Sequence, residues 1–454
     1  MSRDDALTTR YLERIGRVLG PVHDTELTRT LFGGAYAPRP VFLTADEVQQ
    51  VYRDLELLRG ALFRLPELLF GGDLAAFAEA NGMDKVQIRA IERASAGVPD
   101  TLSGMARADL YSDGSGFRLM EFNLGSTVGY DSGDLCRGML EDPEFARFAA
   151  EEGLRHVDTL TEQVRTFRSE MGLAPDARPV IAFAEWPSHL AGMERYMAAL
   201  AERWQEYGLD AYPCHVGQLR RRDGRLWLED RPVDVVYRQF MMDTLLEDGA
   251  EALMEPLLGA LEAGEVRMFT SLESELYGSK ASLAMLSDRA HRGLFSAEEL
   301  GAIDRLLPWT SPVTSGDVLL EDGTEGSLLE YALAHQEELI LKPTLLHGGI
   351  GVVPGWSDVS PEVWRGLLLD ALDGPYVLQR RIHPVPELFP GPDGALRPWV
   401  VNWGVVLMAS GYGGLITRCA PADGDIEVLN IDRGARIGSG FHVGPTPVGG
   451  KQGA

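Results

Sequence analysis

Residues 107–123 read RADLYSDGSGFRLMEFN. Two alternating runs flank a turn rich in Asp, Ser and Gly, Tyr111 to Gly116, and the pattern predicts a β-hairpin. Side chains two apart on a strand share a face, so Glu121 and Asn123 project together, and Asp109 lies opposite them in an antiparallel pair. Three oxygen-bearing side chains then converge on one spot. That is the donor set Mg²⁺ takes when substrate phosphates fill its other positions. Arg107, two residues before Asp109, falls on the same face, and a cation beside a metal cluster makes sense when an anion joins the two. The other reading of the stretch is a polar hairpin facing water. The rest of the chain decides between them.

At 454 residues the chain exceeds the size at which one core stops growing, so two or three packed subdomains are expected. Hydrophobic residues make up 45%, ordinary for a globular protein, and no apolar run is long enough to span a bilayer. The opening MSRDDALTTRYLERIG carries acidic residues and no apolar core, so it does not read as a secretory signal, and a cytoplasmic protein is expected. Cys136, Cys214 and Cys419 are far apart and outside metal-ligand spacing, and they read as reduced thiols. A net charge of −26 argues against nucleic acid as a partner, because such binding rests on Lys and Arg neutralising phosphates. Nothing in the sequence speaks to oligomeric state.

Outward from the hairpin, residues 1–95 read as a helical N-terminal region, with apolar spacing of three and four in Ala45–Leu62 and Gly72–Ala80. The hairpin and a following helix, Leu135–Glu151, occupy 96–177. They are joined by the Gly-rich loop GSTVGYDSGD, whose Ser126 and Thr127 are candidate substrate contacts and whose Asp131 or Ser132 could cap the helix. A small α/β layer is expected over 178–270: strand Pro179–Phe183, helix Gly192–Tyr207, strand Leu209–Cys214, a hairpin turning at Asp223–Gly224, and strand Val233–Tyr237. Arg238 ends that strand, as a capping surface arginine or as a ligand contact. The nucleotide-binding part is expected over 271–447, with a flexible Gly-rich tail at 448–454.

Within 271–447, Lys280 stands where a glycine turn meets a helix. It opposes the helix dipole there unless it reaches toward an anion. In LILKPTLLHGGIGV, Leu339–Val352, Lys342 lies in an apolar strand, and Gly348, Gly349 and Gly351 form a loop whose amides can approach phosphate. The lysine precedes the glycines and there is no GxxxxGK[ST], so this is not a Walker A loop. His347 reads as an exposed loop histidine or a phosphate contact. Tyr376–Ile382, YVLQRRI, is a strand running into a hinge at which Gln379 and Ile382 could meet an adenine. Gly414–Arg418 places Arg418 at a strand end.

A metal cluster, two isolated lysines, a glycine loop, a hinge and two arginines together suit ATP with Mg²⁺. The parts resemble an ATP-grasp ligase with its motifs in circularly permuted order, since the metal hairpin precedes the lysines. The order is similar to the synthetase domain of glutathionylspermidine synthase-like proteins. R-x-D followed twelve residues later by E-x-N resembles Arg107, Asp109, Glu121 and Asn123; S-[NS]-K-A resembles Gly278–Ala281; the strand-borne K-P resembles Lys342–Pro343; Y-x-x-Q resembles Tyr376–Gln379; and G-[IL]-x-x-R resembles Gly414–Arg418. The chain departs from the family at Leu346 and His347, where an Arg and a Glu are usual, and it leaves no room for an amidase domain.

The resemblance implies an α+β, α/β fold of the permuted ATP-grasp type. It implies an ADP-forming carboxylate–amine ligase that works through an acyl phosphate on a small-molecule or short-peptide acid and an amine. Asp109, Glu121 and Asn123 would hold Mg²⁺, Lys280 and Lys342 the phosphates, and Arg107 and Arg418 the transferring group. A small-molecule kinase on the same fold, or an inactive nucleotide-binding protein, are the alternatives.

Overall fold

A computed structural model describes residues 6–97, 102–125, 132–424 and 428–449, with the backbone alone at Asp432. Its largest feature is an eight-stranded sheet in the order Val41–Leu43, Arg436–Val443, Gly411–Pro421, Leu396–Met408, Ala106–Ser112, Phe117–Leu124, with Glu387–Pro390 and Leu154–Arg155 attached alongside. The two long strands, Leu396–Met408 and Gly411–Pro421, are apolar almost without alternation because both of their faces are covered. The helix Ala45–Phe63 starts at a capping box between Thr44 and Glu47. Its Val51, Leu55, Leu58 and Leu62 share a core with Ala108, Leu110, Phe122 and Val405. Those sheet residues alternate with Arg107, Asp109 and Gly404, so the N-terminal helices occupy one face and leave the polar positions on the other.

The expected α/β layer is a four-stranded parallel sheet, Arg267–Phe269, Val235–Arg238, Val180–Glu185, Asp210–His215, crossed by helix Pro187–Glu206. Asp223 (φ 54°) and Gly224 (φ 70°) make the hairpin turn expected beside it. A second four-stranded sheet, Thr310–Pro312, Tyr376–Arg380, Leu339–Pro343, Val353–Pro354, is backed by Leu328, Ala332, Trp364 and Leu368 from two helices. This sheet carries Lys342 and Gln379.

The N-terminal region, expected to be mostly helical, carries six helices among the described residues and also contributes one strand: Val41–Leu43 joins the large sheet in parallel with Arg436–Val443, Val41 opposite Gly440. Three residues are too few to display a period of two. The tail is held at its start, where Val448 bridges to Gly411 and the Gly449 N–H donates to the Ser410 carbonyl at 2.9 Å; residues 450–454 lie outside the described residues. Among the described residues no helix is long and apolar enough to cross a membrane, and the three cysteines are buried and free.

Candidate active site

In the hairpin, Arg107 pairs with Asn123 and Asp109 with Glu121, so the four polar side chains occupy adjoining positions on one face. The register slips between Asp109 and Leu110, which leaves Met120 without a partner in the ladder. The bulge breaks the alternation, and Met120 and Glu121 both line the cavity in front of the sheet. The Met120 carbonyl, released from the ladder, accepts from Lys342 Nζ at 3.3 Å. Gly404 stands opposite Asp109 on the next strand, and a Cβ there would lie 3.1 Å from Arg107 Cδ, so the glycine lets the arginine lie across the sheet.

That cavity, about 310 Å³, gathers Arg107, Asp109, Glu121, Asn123, Lys280, Lys342, Gly348, Gly349, Gln379, Ile382 and Arg418. The volume is in the range of small-ligand sites. It is polar at the hairpin end, and away from it Ile340, Val352, Trp356, Ile382 and Leu429 supply apolar walls beside Arg380 and Arg381.

At the polar end each carboxylate already faces cations. Asp109 Oδ1 accepts from Arg107 Nε at 2.8 Å, and Oδ2 accepts from Arg418 Nη1 at 3.2 Å and Asn123 Nδ2 at 3.1 Å. Burial pushes the Asp109 carboxyl up, but Arg107 and Arg418 outweigh it and hold it below the usual carboxylate range. Glu121 Oε1 accepts from Lys280 Nζ at 3.0 Å. Burial raises this group too, yet Lys280, then His347 and Lys342, hold it down at about 2. Both acids are therefore ionised at neutral pH. Two carboxylates and one carboxamide oxygen on neighbouring register positions form a hard donor set that fits Mg²⁺, an ion commonly held by one or two carboxylates with phosphate oxygens completing its shell. Among the described residues no larger group of acidic, histidine and cysteine side chains gathers as a metal cluster.

Lys280 opens the helix Lys280–Ser287 behind the N-cap Ser279 and also donates to the Leu346 carbonyl at 2.9 Å. Lys342 donates to Gln379 Oε1 at 2.6 Å, and Gln379 Nε2 in turn donates to Thr310 Oγ1 at 3.1 Å. Burial, with the positive charge of Lys280 adding to it, pulls Lys342 from 10.5 down to about 8. In the glycine loop Gly348, Gly349 and Gly351 have φ of 65°, 77° and 69°, a region side chains rarely adopt. Asn430 Nδ2 ties that loop down by donating to the Gly348 carbonyl at 2.7 Å.

Several expected contacts lie elsewhere. Gly351 packs against Pro343 and does not line the cavity. Arg238 is neither a surface cap nor a wall of the cavity. Its side chain is fully buried, ion-paired with Glu275, and donates to the carbonyls of Thr270 (2.8 Å), Phe240 (2.6 Å) and Ser271 (3.2 Å). A buried guanidinium needs that many acceptors, and the turn after strand Arg267–Phe269 supplies two of them. His347, read first as an exposed loop residue, has a side chain 32% exposed that stands between Glu121 (4.0 Å) and Glu275 (3.9 Å). Ser126, Thr127 and Asp131 lie outside the described residues. Sequence reasoning missed Tyr111, Met120, Trp356, Arg381, Asn402 and Asn430, all of which line the cavity. Of these only Tyr111, on the alternation of Arg107 and Asp109, and Arg381, beside Gln379, sit where the motifs could have pointed.

No protein-family model and no curated protein matches the chain. Solved structures do. A glutathione synthetase like-effector from Globodera pallida superposes with a TM-score of 0.54 at 14% identity, over 90% of each chain. "Putative gamma-glutamylcysteine synthetase" from Methylobacillus flagellatus KT gives 0.45 at 14% identity, over 88% of this chain and 89% of that one. D-alanyl-alanine synthetase A from Vibrio cholerae gives 0.27 at 10% identity, over 49% and 67%. Only the first superposition extends to a shared overall fold, and the chain is thus similar in fold, a mixed α/β architecture of several sheets, to that glutathione synthetase-like effector.

Proposed function

We propose that this chain is an ATP-dependent, ADP-forming carboxylate–amine ligase that makes an amide or peptide bond between small molecules, a cytoplasmic enzyme of the circularly permuted ATP-grasp type. The observation that carries the reading is one cavity with Asp109, Glu121, Asn123 and four cations at the hairpin end and apolar walls away from it. Arg107, Lys280, Lys342 and Arg418 outnumber the two carboxylates. The excess positive charge suits a nucleotide whose phosphates are partly neutralised by a divalent ion. The likeness in fold to a glutathione synthetase-like effector supports a ligase, and the order of motifs, metal hairpin before lysines, supports the permuted arrangement.

A carboxylate does not condense with an amine in water without activation. In the proposed reaction a carboxylate oxygen attacks the γ-phosphorus of ATP, the bond to the β–γ bridging oxygen breaks, and ADP and an acyl phosphate result. The amine nitrogen then attacks the acyl carbon, inorganic phosphate leaves with the C–O bond electrons, and the ammonium proton passes to solvent. Asp109, Glu121 and Asn123 would hold Mg²⁺, which supplies neutralisation of the charge developing on the phosphates. Lys280 exchanges Glu121 and the Leu346 carbonyl for phosphate oxygens, and Lys342 approaches them from the opposite sheet. Arg107 and Arg418, aimed by Asp109, stabilise the phosphoryl group in flight and then the tetrahedral oxyanion. The glycine loop, tied down by Asn430, keeps water from the acyl phosphate.

The test is ADP and phosphate release measured across pairs of short-peptide acids and small amines, where turnover must require both. Steady ATP hydrolysis indifferent to any amine, or undiminished turnover in Lys342→Ala and Glu121→Ala, overturns the proposal.

A further inference from the structure

Beside its apolar walls the cavity holds a charged group that phosphate chemistry does not use. Arg381 lies over the Trp356 indole, its Cζ 4.2 Å from the ring centroid, and both residues line the cavity beside Ile340, Val352 and Ile382. A guanidinium within about 6 Å of an indole centroid is attracted by the ring quadrupole. Among the described residues no carboxylate pairs with Arg381, although the chain carries a net charge of −26.

One turn of 3-10 helix, Gln336–Glu338, fixes both partners. On the indole side, Gln336 Nε2 donates to the Gly355 carbonyl at 3.1 Å and to the Val359 carbonyl at 2.8 Å, bracketing Trp356. The Gly355 N–H donates to the Leu339 carbonyl at 2.9 Å. A Cβ at position 355 would stand 2.0 Å from the Gln336 carbonyl oxygen, so the approach that sets Trp356 requires glycine there. On the guanidinium side, the Arg381 N–H donates to the Glu338 carbonyl at 2.8 Å and Nη1 to the Glu337 carbonyl at 3.2 Å. The pair is thus held in place before any ligand arrives, and a preorganised surface costs little to order on binding.

We propose that Trp356 and Arg381 form a preorganised platform that stacks on the purine base of the bound nucleotide. The inference rests on the nucleotide reading above and adds to it the residues that read the base. An extended π-surface facing an indole–guanidinium pair gains from both stacking and the adjacent cation.

The experiment titrates Mg·ADP into the full-length protein and into Trp356→Ala, Trp356→Phe and Arg381→Ala, with the ligand-free unfolding midpoint of each recorded alongside. Trp356→Ala is expected to weaken Mg·ADP about tenfold, the scale of lost base–aromatic stacking. Trp356→Phe should recover most of that loss, and Arg381→Ala should weaken binding with its midpoint in place. Wild-type affinity in both alanine variants overturns the platform. So does a fall in affinity that merely follows a fall in midpoint in both, since that assigns the pair a structural role alone. Wild-type protein that fails to bind Mg·ADP overturns the nucleotide reading itself, and that result is seen before any variant is tested.

Discussion

Replacing Lys342 by methionine should stabilise the ligand-free protein at neutral pH while abolishing nucleotide binding. Lys342 is 7% exposed, and its ammonium is pulled from 10.5 to about 8 by burial and by Lys280. That depression corresponds to about 3 kcal/mol by which the charged lysine penalises the fold at pH 7. Methionine removes the penalty but leaves Gln379 Oε1 and the Met120 carbonyl without this donor, at about 1–2 kcal/mol together. A net gain of about 1–2 kcal/mol remains. The pH dependence has a definite sign. Because the folded value lies below the unfolded one, the unfolded state binds more protons between pH 8 and 10.5, and wild-type stability rises with pH across that window. The advantage of the variant should therefore shrink by about 2 kcal/mol between pH 7 and pH 9.5. Urea unfolding with a chelator and no nucleotide measures both differences, and a Mg·ADP titration measures the lost binding. A variant less stable than wild type at pH 7, or a difference that stays flat to pH 9.5, refutes the view that Lys342 is held at an energetic cost for its ligand.

Other consequences follow from the same geometry. Arg238→Met strands Glu275 in the interior and should cost about 3–5 kcal/mol, whereas Arg238→Met with Glu275→Met should recover most of it, measured by urea unfolding; equal losses in the single and double variants refute the pairing. Gly349→Ala forces a Cβ to within 2.8 Å of Val428 Cγ1 at φ 77° and should raise the KM for ATP while shifting the ligand-free unfolding midpoint little, as the strain falls on a surface loop. Glu121→Gln removes a proposed ion ligand and the partner of Lys280, so Mg²⁺ should no longer strengthen ADP binding in a calorimetric titration; an unchanged Mg²⁺ effect removes Glu121 from the metal site.

The hairpin was legible because alternation and a turn of Asp, Ser and Gly are local properties, but turn length alone would pair Asp109 with Met120, and the bulge there is what sets Asp109 opposite Glu121. Lys280 and Lys342 were legible as anomalies, one against a helix dipole and the other inside an apolar strand. Trp356 was not, because nothing in VVPGW distinguishes a cavity wall from an ordinary core residue until Gly355 is seen pressed against Gln336. Arg238 was misread for a related reason. Its acceptors, the carbonyls of Thr270, Ser271 and Phe240, become neighbours only when strands Val235–Arg238 and Arg267–Phe269 pair.

The sequence by itself singled out most of the polar side chains that line the cavity and the strands and helices that bear them, because residue type, period and turn composition act over a few positions. The bulge at Met120, the balance that ionises Glu121 while pulling Lys342 to about 8, the internal role of Arg238 and the indole platform at Trp356 were decided only in the tertiary structure. Each depends on charges and backbone groups brought together from distant parts of the chain, and electrostatic and steric energies are set by distance in space and not by separation along the sequence.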